Sequence, residues 1–331
     1  MAIKSIIEEI ETDVLDVVQT KFDYITTNLV PNRSDGQLTF ERNVGKFGKT
    51  LKSCVLYVDI RNSVDLTHKH TTQTMGRLYT AFSKAIIKAA KYHSGHIRNI
   101  IGDRVMIVFP AKDCFTNSVD CAITINHLAL FVIKKIFKGV DFKCGIGIDY
   151  GELKVIKVGV QRRGHEGTEN KSLVWVGYPA NIASRLTDVA NKSIEKTYFE
   201  VIRNPINPRA IRPFIDIMPL FGSRPSYDPQ APLYLSTKET VEMTNEEFAN
   251  NISSVQEGEL YMTGGRFISF SKKTKTISYP KILMTEAVFR GFRNANENRK
   301  CIKQNYWTEQ KHEIKNVTGK IFGGGVSWDL S

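Results

Sequence analysis

The chain has 331 residues, of which 41% are hydrophobic and 24% are charged, which is ordinary for a globular protein. No apolar run is long enough to span a bilayer, the start has no signal-peptide core, and the five cysteines form no CxxC pair. We therefore expect a cytoplasmic protein with reduced thiols and no membrane span. The net charge of +12 is concentrated in residues 51–190, which carry +9, and this favours an anionic ligand over a neutral one.

The first predicted element is an amphipathic helix. Apolar residues recur at helical spacing over residues 3–28, with acidic residues on the opposite face, and we assign residues 1–30 to this helix. The helix could pack on the rest of the chain or pair with a second copy, but its stripe is too short and irregular for a coiled coil. Residues 31–50 are polar and contain Pro31, which is typical of a connector.

A buried strand that ends in a carboxylate comes next. Val55–Val58 are four β-prone residues, and Asp59 follows them at the end of the strand. Asn62 and Ser63 can each cap the helix predicted from Val64 onward. An acidic residue beside free helix amides suits a metal-bound phosphate, although an Asp in this position is more often a turn or capping residue.

The following segment predicts a β-hairpin. Two apolar runs, 97–101 and 105–109, flank Gly102-Asp103-Arg104, which places Asp103 at the turn. Asp59 and Asp103 can then meet on neighbouring strands of one sheet. Two carboxylates at one sheet edge are what Mg²⁺ or Mn²⁺ needs to bridge polyphosphate oxygens.

A second pair of polar residues is predicted on a helix. Pro179 suits a first helical turn, and Asn181 and Arg185 stand four residues apart on one face. Over residues 51–189 the sequence predicts, in chain order, a strand to Asp59, one or two helices over 64–93, the hairpin, a helix over 114–137, strands over 142–149, 153–160 and 172–176, and a helix over 179–189. This β-α-β-β-α-β order is the ferredoxin-like arrangement, an α/β (α+β) fold in which helices back an antiparallel sheet.

Four motifs in this order resemble the class III nucleotidyl cyclases, the family of adenylate and guanylate cyclases. They are a strand ending in Asp-Ile, a Gly-Asp hairpin, the Gly-Ile-Gly-Ile strand of residues 145–148, and Asn-x-x-x-Arg at the start of a helix. The resemblance covers about residues 51–187 and implies the same fold. Lys281–Phe289 and Glu313–Trp328 resemble the later strand-helix unit and the final hairpin of these enzymes. The cyclase domain would then be residues 51–331, with an insertion at about 193–279 that includes strands near Leu233–Leu235 and Phe267–Phe270.

The resemblance also implies roles for single residues. Asp59 and Asp103 would hold two Mn²⁺ or Mg²⁺ ions, with the Ile60 carbonyl as a further ligand. Backbone amides of Asn62, Ser63 and Val64 would receive phosphate oxygens of the nucleoside triphosphate.

The catalytic residues would come from a second copy of the chain. Asn181 would orient the ribose and Arg185 would stabilise charge on the pentavalent phosphorus, a role that suits its planar and permanent charge. Family members place the metals on one chain and this pair on the other, so the resemblance implies a homodimer with two interfacial sites. Lys320 of the final hairpin would contact the triphosphate, with Lys315 as a rival.

The base-selecting positions match neither purine pattern of the family. Asn99 stands where adenylate cyclases have Lys and guanylate cyclases have Glu, and Val174 occupies the second base-reading position. Asparagine offers a donor and an acceptor that can match either pyrimidine edge. The motifs also resemble the bacterial Pycsar pyrimidine cyclases of anti-phage defence, which make cyclic CMP or cyclic UMP for a separate effector protein. This resemblance implies a cytidylate or uridylate cyclase, and CTP is preferred over UTP as the expected substrate.

Three alternatives stay open at the level of sequence. One is a bacterial adenylate cyclase with an unusual base pocket. Another is a catalytically silent cyclase-like module that binds a nucleotide, although the intact metal and transition-state residues argue against it. A nucleic-acid-binding domain is the third, and it is disfavoured because the basic chain has no aromatic-rich recognition motif.

Overall fold

The structure is a computed structural model that describes residues 3–160, 171–211, 227–256, 259–311 and 314–330. The chain forms two compact units, one of residues Met1–Lys192 with Ser278–Ser331 and the other of residues Ser193–Ile277. None of the helices in the described ranges has both the length and the hydropathy that crossing a bilayer requires.

Both units contain helices and strands. The first part of the larger unit contains, in chain order, α1 (Ile3–Gln19), β1 (Phe22–Thr26), β2 (Lys46–Ile60), α2 (Ser63–Lys69), α3 (Thr72–Tyr92), β3 (His96–Ile101), β4 (Arg104–Val108), α4 (Cys114–His127), a π-helical turn (Leu128–Ile133), α5 (Lys134–Ile136), β5 (Cys144–Gly159), β6 (Lys171–Val176) and α6 (Tyr178–Val189). The smaller unit contains β7 (Ser193–Pro205), β8 (Glu239–Met243), α7 (Asn245–Asn251), β9 (Ile252–Gln256), β10 (Glu259–Met262) and β11 (Gly265–Ser278). The chain then adds β12 (Ile282–Thr285), α8 (Glu286–Ala295), α9 (Lys300–Lys303), β13 (Thr308–Glu309) and β14 (Ile321–Gly324) to the larger unit.

The larger unit is built around one mixed sheet. Its strand order is β13-β14-β12-β5-β2-β4-β3, with β1 on an edge of β2 and β6 on an edge of β5. The long central strands β2 and β5 pair antiparallel over twelve residues, from Lys49–Val155 to Ile60–Cys144. The α/β class and the antiparallel sheet backed by helices are thus confirmed.

Alternation along β2 explains why both faces of the sheet are covered. Cys54, Leu56 and Val58 point to one face, where helices α3, α4 and α8 complete the main core. Leu51 and Val55 point to the other face, where α6 packs. A central strand that is buried on both sides reads as a continuous apolar run, which is how residues 54–58 read in the sequence.

Several elements differ from the sequence expectation in their bounds. The first helix ends at Gln19, and Phe22–Thr26 forms β1, parallel to the start of β2, since pairing with Lys46–Thr50 satisfies its backbone. The segment Lys46–Thr50, predicted as connector, therefore belongs to β2. The two strands predicted over 142–149 and 153–160 are one strand, β5, because β2 pairs with both parts without a break.

Two predicted strands near the end of the chain also differ. Leu233–Leu235 is not a strand, and only Tyr234 forms a single bridge, to Ile206. The final hairpin predicted over Glu313–Trp328 is instead the pair of β13 with β14, while residues 312 and 313 lie outside the described residues. Thr308 and Glu309 lie more than ten residues before β14, and this spacing is too long to be recognised in the sequence as a hairpin.

Helix α1 has an unusual orientation. Its acidic face is held to the chain by an ion pair of 2.7 Å between Asp16 and the buried Lys46, and by one of 3.7 Å between Asp13 and Arg42. None of its residues is buried, and the apolar stripe that includes Ile7, Val14 and Val18 faces away from these ion pairs.

The smaller unit has a sheet of its own. Its strand order is β8-β7-β11-β10-β9, and α7 begins with a capping box formed by Thr244 and Glu247. Phe199, Phe248 and Phe270 pack together, with a ring-centroid distance of 4.2 Å between the first two. Phe248 also belongs to a separate small core of this unit, together with Val201, Met243 and Met262.

Candidate active site

The metal half of the candidate site begins at the end of β2. Asp59 pairs with Gly145 of β5, and 14% of its side chain is exposed. Its Oδ2 accepts a hydrogen bond from Nη2 of Arg104 at 2.9 Å and lies 3.6 Å from Nη1 of Arg61. Burial raises the pKa of Asp59 above its ordinary value, and the hydrogen bond from Arg104 opposes that rise. Burial therefore disfavours the charged form of this carboxylate, and a nearby cation favours it.

The second carboxylate lies at the tip of the β3–β4 hairpin. Ile101 pairs with Arg104, so Gly102 and Asp103 form a two-residue loop, and Gly102 has the positive φ of 60° that such loops need. Because β4 pairs with β2, the tip comes to the end of β2 that carries Asp59. The charge of Asp103 adds to the raised pKa of Asp59, so the two carboxylates interact.

The donor set at this edge of the sheet fits a hard divalent cation. Asp59, Asp103 and the Ile60 carbonyl offer oxygen atoms alone, which Mg²⁺ and Mn²⁺ prefer. Within the described residues, no group of three or more acidic, cysteine or histidine side chains comes together. Two carboxylates and a carbonyl leave positions that the phosphate oxygens of a nucleotide can fill. The residues therefore fit a cation shared with a polyphosphate better than a closed structural metal site.

The start of α2 lies directly beyond these ligands. Asn62 occupies the N-cap in the left-handed conformation, with a φ of 54°, and its side chain makes no capping hydrogen bond. A capping side chain needs an extended N-cap backbone, so neither Asn62 nor Ser63 caps in the way the sequence suggested. Ser63 is the first helical residue, and Val64 is exposed.

Helix α6 rests on the bare backbone of β5. A Cβ atom on Gly147 would lie 2.3 Å from the carbonyl oxygen of Ala183, and one on Gly145 would meet the side chain of Arg61. Thr187 adds a hydrogen bond of 3.1 Å from its hydroxyl to the carbonyl of Tyr57. The Gly-Ile-Gly-Ile motif thus has a steric reason, since its glycines admit the helix and its isoleucines fill the opposite core.

Asn181 and Arg185 lie one turn apart on the outer face of α6. Both are exposed, whereas Ile182 and Leu186 of the same helix are buried against the sheet. Over the part of the chain that the structure covers, no hydrogen bond or ion pair holds either of the two polar side chains. The structure therefore does not join them to Asp59 or Asp103 within one chain.

A residue that the sequence did not single out links the two halves. Nη2 of Arg104 also lies 2.5 Å from Oδ1 of Asp188, and Nη1 donates to the hydroxyl of Ser184 at 2.8 Å. Ser184 and Asp188 flank Arg185 on α6. These two partners lie 80 and 84 residues from Arg104 in sequence, so no local pattern could have revealed them.

The predicted base-selecting positions lie on the exposed part of the sheet. Asn99 pairs with Met106 next to a β-bulge at Arg98, and Val174 is exposed on β6. The Arg98 guanidinium carbon lies 5.9 Å from the ring centroid of Trp175, the residue after Val174. Among the described residues, Nε of Arg98 and Nε1 of Trp175 are buried polar atoms without a hydrogen-bond partner. The bulge thus brings a second polar side chain, missed by sequence reasoning, beside the predicted pair.

The two C-terminal lysines considered for the triphosphate, Lys315 and Lys320, lie in and after a loop that contacts α6. Lys320 precedes β14 and makes an exposed ion pair of 3.0 Å with Glu309 of β13. In the loop before it, Thr318 lies within 3.1 Å of the Tyr178 hydroxyl on α6. This loop, which also carries Lys315, therefore reaches the helix of Asn181 and Arg185.

Sequence comparison with characterised proteins shows the family of this chain. No protein-family model matches the chain. A uridylate cyclase from Burkholderia cepacia is 32% identical over 178 residues, which cover 52% of this chain and 72% of the relative. The chain belongs to the class III nucleotidyl cyclases, in their pyrimidine cyclase branch. A uridylate cyclase from Gulbenkiania mobilis is 28% identical over 188 residues, covering 53% of this cyclase and 68% of the relative. A cytidylate cyclase from Staphylococcus aureus is 29% identical over 107 residues, or 30% of this chain and 25% of the relative.

Solved structures similar to the cyclase include adenylyl and guanylyl cyclases. The adenylyl cyclase CyaB from P. aeruginosa shares 13% identity over 83% of this chain and 94% of its own, with a TM-score of 0.44. The guanylyl cyclase Cya2 shares 21% identity over 43% of this chain and 71% of its own, with a TM-score of 0.38. A bacterial light-regulated adenylyl cyclase is matched over 43% of this chain and 40% of its own length, with a TM-score of 0.37.

Proposed function

We propose that this cyclase converts a pyrimidine nucleoside triphosphate into the 3′,5′-cyclic monophosphate and pyrophosphate. The observation that carries the proposal is the meeting of Asp59 and Asp103 at one edge of the sheet, where both offer carboxylate oxygens to a cation. The uridylate and cytidylate cyclases to which the chain is similar support the choice of a pyrimidine substrate.

In this reaction the ribose 3′-oxygen attacks the α-phosphorus, and pyrophosphate leaves. Asp59, Asp103 and the Ile60 carbonyl would hold two Mn²⁺ or Mg²⁺ ions, which lower the pKa of the 3′-hydroxyl and neutralise the triphosphate. Backbone amides at Asn62, Ser63 and Val64 would receive phosphate oxygens. Lys320 would exchange its exposed contact with Glu309 for the triphosphate.

The transition-state residues would come from a second copy. Asn181 would orient the ribose, and Arg185 would take up charge on the pentavalent phosphorus. This proposal is supported by their exposure and by the lack of any described contact that ties them to the carboxylates of their own chain. A two-fold dimer would contain two complete sites.

The base pocket favours uracil in this proposal. The preference for CTP drawn from the sequence rests on Asn99, whose amide suits both pyrimidines. Arg98 carries donors alone, and the 4-position of uracil is an acceptor, whereas that of cytosine is a donor. Two of the three relatives named above are uridylate cyclases, including the one of 32% identity. We therefore place UTP before CTP.

The product would serve as a second messenger. The motif resemblance to Pycsar cyclases supports a role in bacterial defence against phage, in which the cyclic nucleotide activates a separate effector protein in the cytoplasm. A host that carries this cyclase with its effector should resist phage, and an Asp59→Ala version should not.

One experiment tests the proposed activity directly. Purified protein is incubated with each of the four nucleoside triphosphates and Mn²⁺, and any cyclic product is identified by mass. We expect cyclic UMP in the largest amount, then cyclic CMP, with purine products lower by a factor of about 10² or more. ATP or GTP as the best substrate would refute the pyrimidine assignment, and the absence of any product would refute the proposed activity.

A further inference from the structure

Arg104 has contacts that the proposed reaction does not require. One guanidinium nitrogen contacts both Asp59, at 2.9 Å, and Asp188, at 2.5 Å, while the other donates to Ser184. Asp59 is the carboxylate assigned to the divalent cations. The Arg104 guanidinium occupies the position beside Oδ2 where such a cation would bind, and it supplies a positive charge there.

We propose that Arg104 is an internal counter-cation, which neutralises Asp59 until a divalent cation binds and is then retained on α6 by Asp188 and Ser184. The proposal rests on the proposed function for the assignment of Asp59 as a metal ligand. Arg104 would be a positioning residue, since it acts through Asp59 and α6 and not on the substrate.

The neighbouring arginine shows why Arg104 is the residue that moves. Arg61 is also close to Asp59, at 3.6 Å, but 4% of its side chain is exposed and its Nη2 donates to the carbonyl oxygen of Thr187. Arg104 is 30% exposed. Two of its three partners lie on α6, so it can leave Asp59 and keep an ion pair and a hydrogen bond. A cation on Asp59 repels the guanidinium toward those two partners.

This exchange would also connect the metal half of the site with the helix of the transition-state residues. Before a cation binds, Arg104 ties β2 to α6 through Asp59. Once it binds, the same side chain belongs to α6 alone. Asn181 and Arg185 are both within one turn of Ser184, and Arg185 is also within one turn of Asp188, so the helix that carries them responds to the occupancy of Asp59.

The test measures binding of the metal alone, without nucleotide. Free Mn²⁺ is titrated by electron paramagnetic resonance against wild type, Arg104→Gln and the control Arg290→Gln. Arg290 is also in an ion pair, at 2.7 Å from Glu286, but on the exposed face of α8. Arg104→Gln should bind Mn²⁺ about tenfold more tightly because the competing charge is gone, whereas Arg290→Gln should match wild type.

A second pair of variants tests the retention on α6. Asp188→Asn should weaken Mn²⁺ binding by about fivefold, because Arg104 loses its alternative carboxylate and stays on Asp59. The same change in an Arg104→Gln background should have less than about a twofold effect. Hydrogen exchange in residues 178–189 should change on addition of Mn²⁺ in wild type and remain unchanged in Arg104→Gln.

The outcomes separate this proposal from the proposed function. A folded Arg104→Gln whose Mn²⁺ affinity equals or falls below that of wild type overturns the counter-cation role, even if cyclic product is formed. Equal effects of Asp188→Asn in both backgrounds overturn the retention on α6. If Arg104→Gln does not fold, Asp188→Asn in wild type decides, and unchanged or tighter Mn²⁺ binding overturns the proposal. An Arg104-dependent metal affinity in a protein that cyclises no nucleotide would refute the activity alone.

Discussion

The two polar pairs of the candidate site are held in opposite ways. Asp59 is nearly buried, interacts with Asp103 and is bound by Arg104, so its position is fixed before any ligand arrives. Asn181 and Arg185 stand on the outer face of α6 without a described contact. One pair is therefore built to hold charge within the chain, while the other is presented outward.

The largest expected effect concerns the two carboxylates, Asp59 and Asp103. Asp59→Ala or Asp103→Ala should lower the rate of cyclic product formation by about 10² or more, since each would remove a proposed ligand of both cations. The far-ultraviolet circular dichroism should stay native. Asp141→Ala removes an exposed carboxylate that pairs with Lys143, and it should keep wild-type activity. A rate above roughly a tenth of wild type in either site variant would contradict the two-metal assignment.

The next experiment tests the outward pair. Asp59→Ala and Arg185→Ala chains should each be inactive, but an equal mixture should recover roughly a quarter of wild-type activity, because half of the dimers contain one intact interfacial site. Activity is measured after mixing and re-equilibration. Inactivity of a mixture in which native mass spectrometry detects heterodimers would place the whole site within one chain.

A third change moves the outward pair without touching it. Gly147→Ala places a methyl group where 2.3 Å separates it from the Ala183 carbonyl, so α6 must shift. We expect unfolding stability to fall by about 3 kcal/mol and cyclic product formation to fall at least tenfold. Gly76→Ala on α3, which meets nothing within 4 Å, should instead stabilise the protein slightly. Full activity of Gly147→Ala would show that the position of α6 on the sheet is not critical for cyclic product formation.

The smallest effect concerns a buried charge on β5. Burial raises the pKa of Asp149 to about 6, from 3.8 for an exposed aspartate, although Thr285 donates to it at 2.6 Å. Between pH 4 and pH 6 the unfolded chain releases a proton that the native chain keeps, so stability falls with rising pH and stays lower above pH 6. Asp149→Asn should therefore be about 2 kcal/mol more stable at pH 7.5, with no gain below pH 4. Urea denaturation at both pH values measures this, and an equal gain at both would mean that packing, not charge, is responsible.

The sequence was informative wherever a local pattern sufficed. Asp59 and Asp103 follow apolar runs that could only be buried strands, and the spacing of Asn181 and Arg185 defined a helical face. The structure places the first two together and the second two on one helix, as the pattern predicted. Their chemical roles stay predictions.

The sequence was silent where distant segments meet. Phe22–Thr26 fits a helical period as well as a strand, and its pairing with β2 decides the matter. Arg104 reads as a turn residue until α6 folds over the sheet and brings Asp188 to it. The β-bulge that places Arg98 beside Trp175 depends on the register of β3 on β4, which no run of residues announces.

The packing of α6 directly on the backbone of β5 affects which parts of this enzyme can change by mutation. The approach of that helix to β5 depends on Gly147, where a Cβ atom would lie 2.3 Å from the Ala183 carbonyl oxygen. Ile146 and Ile148, on either side of Gly147, face the other layer. Mutations that resize the main core can therefore displace α3, α4 and α8 while Asn181 and Arg185 on α6 keep their place. The core on one side of the sheet can therefore change in sequence, whereas the packing of α6 on the other side is constrained.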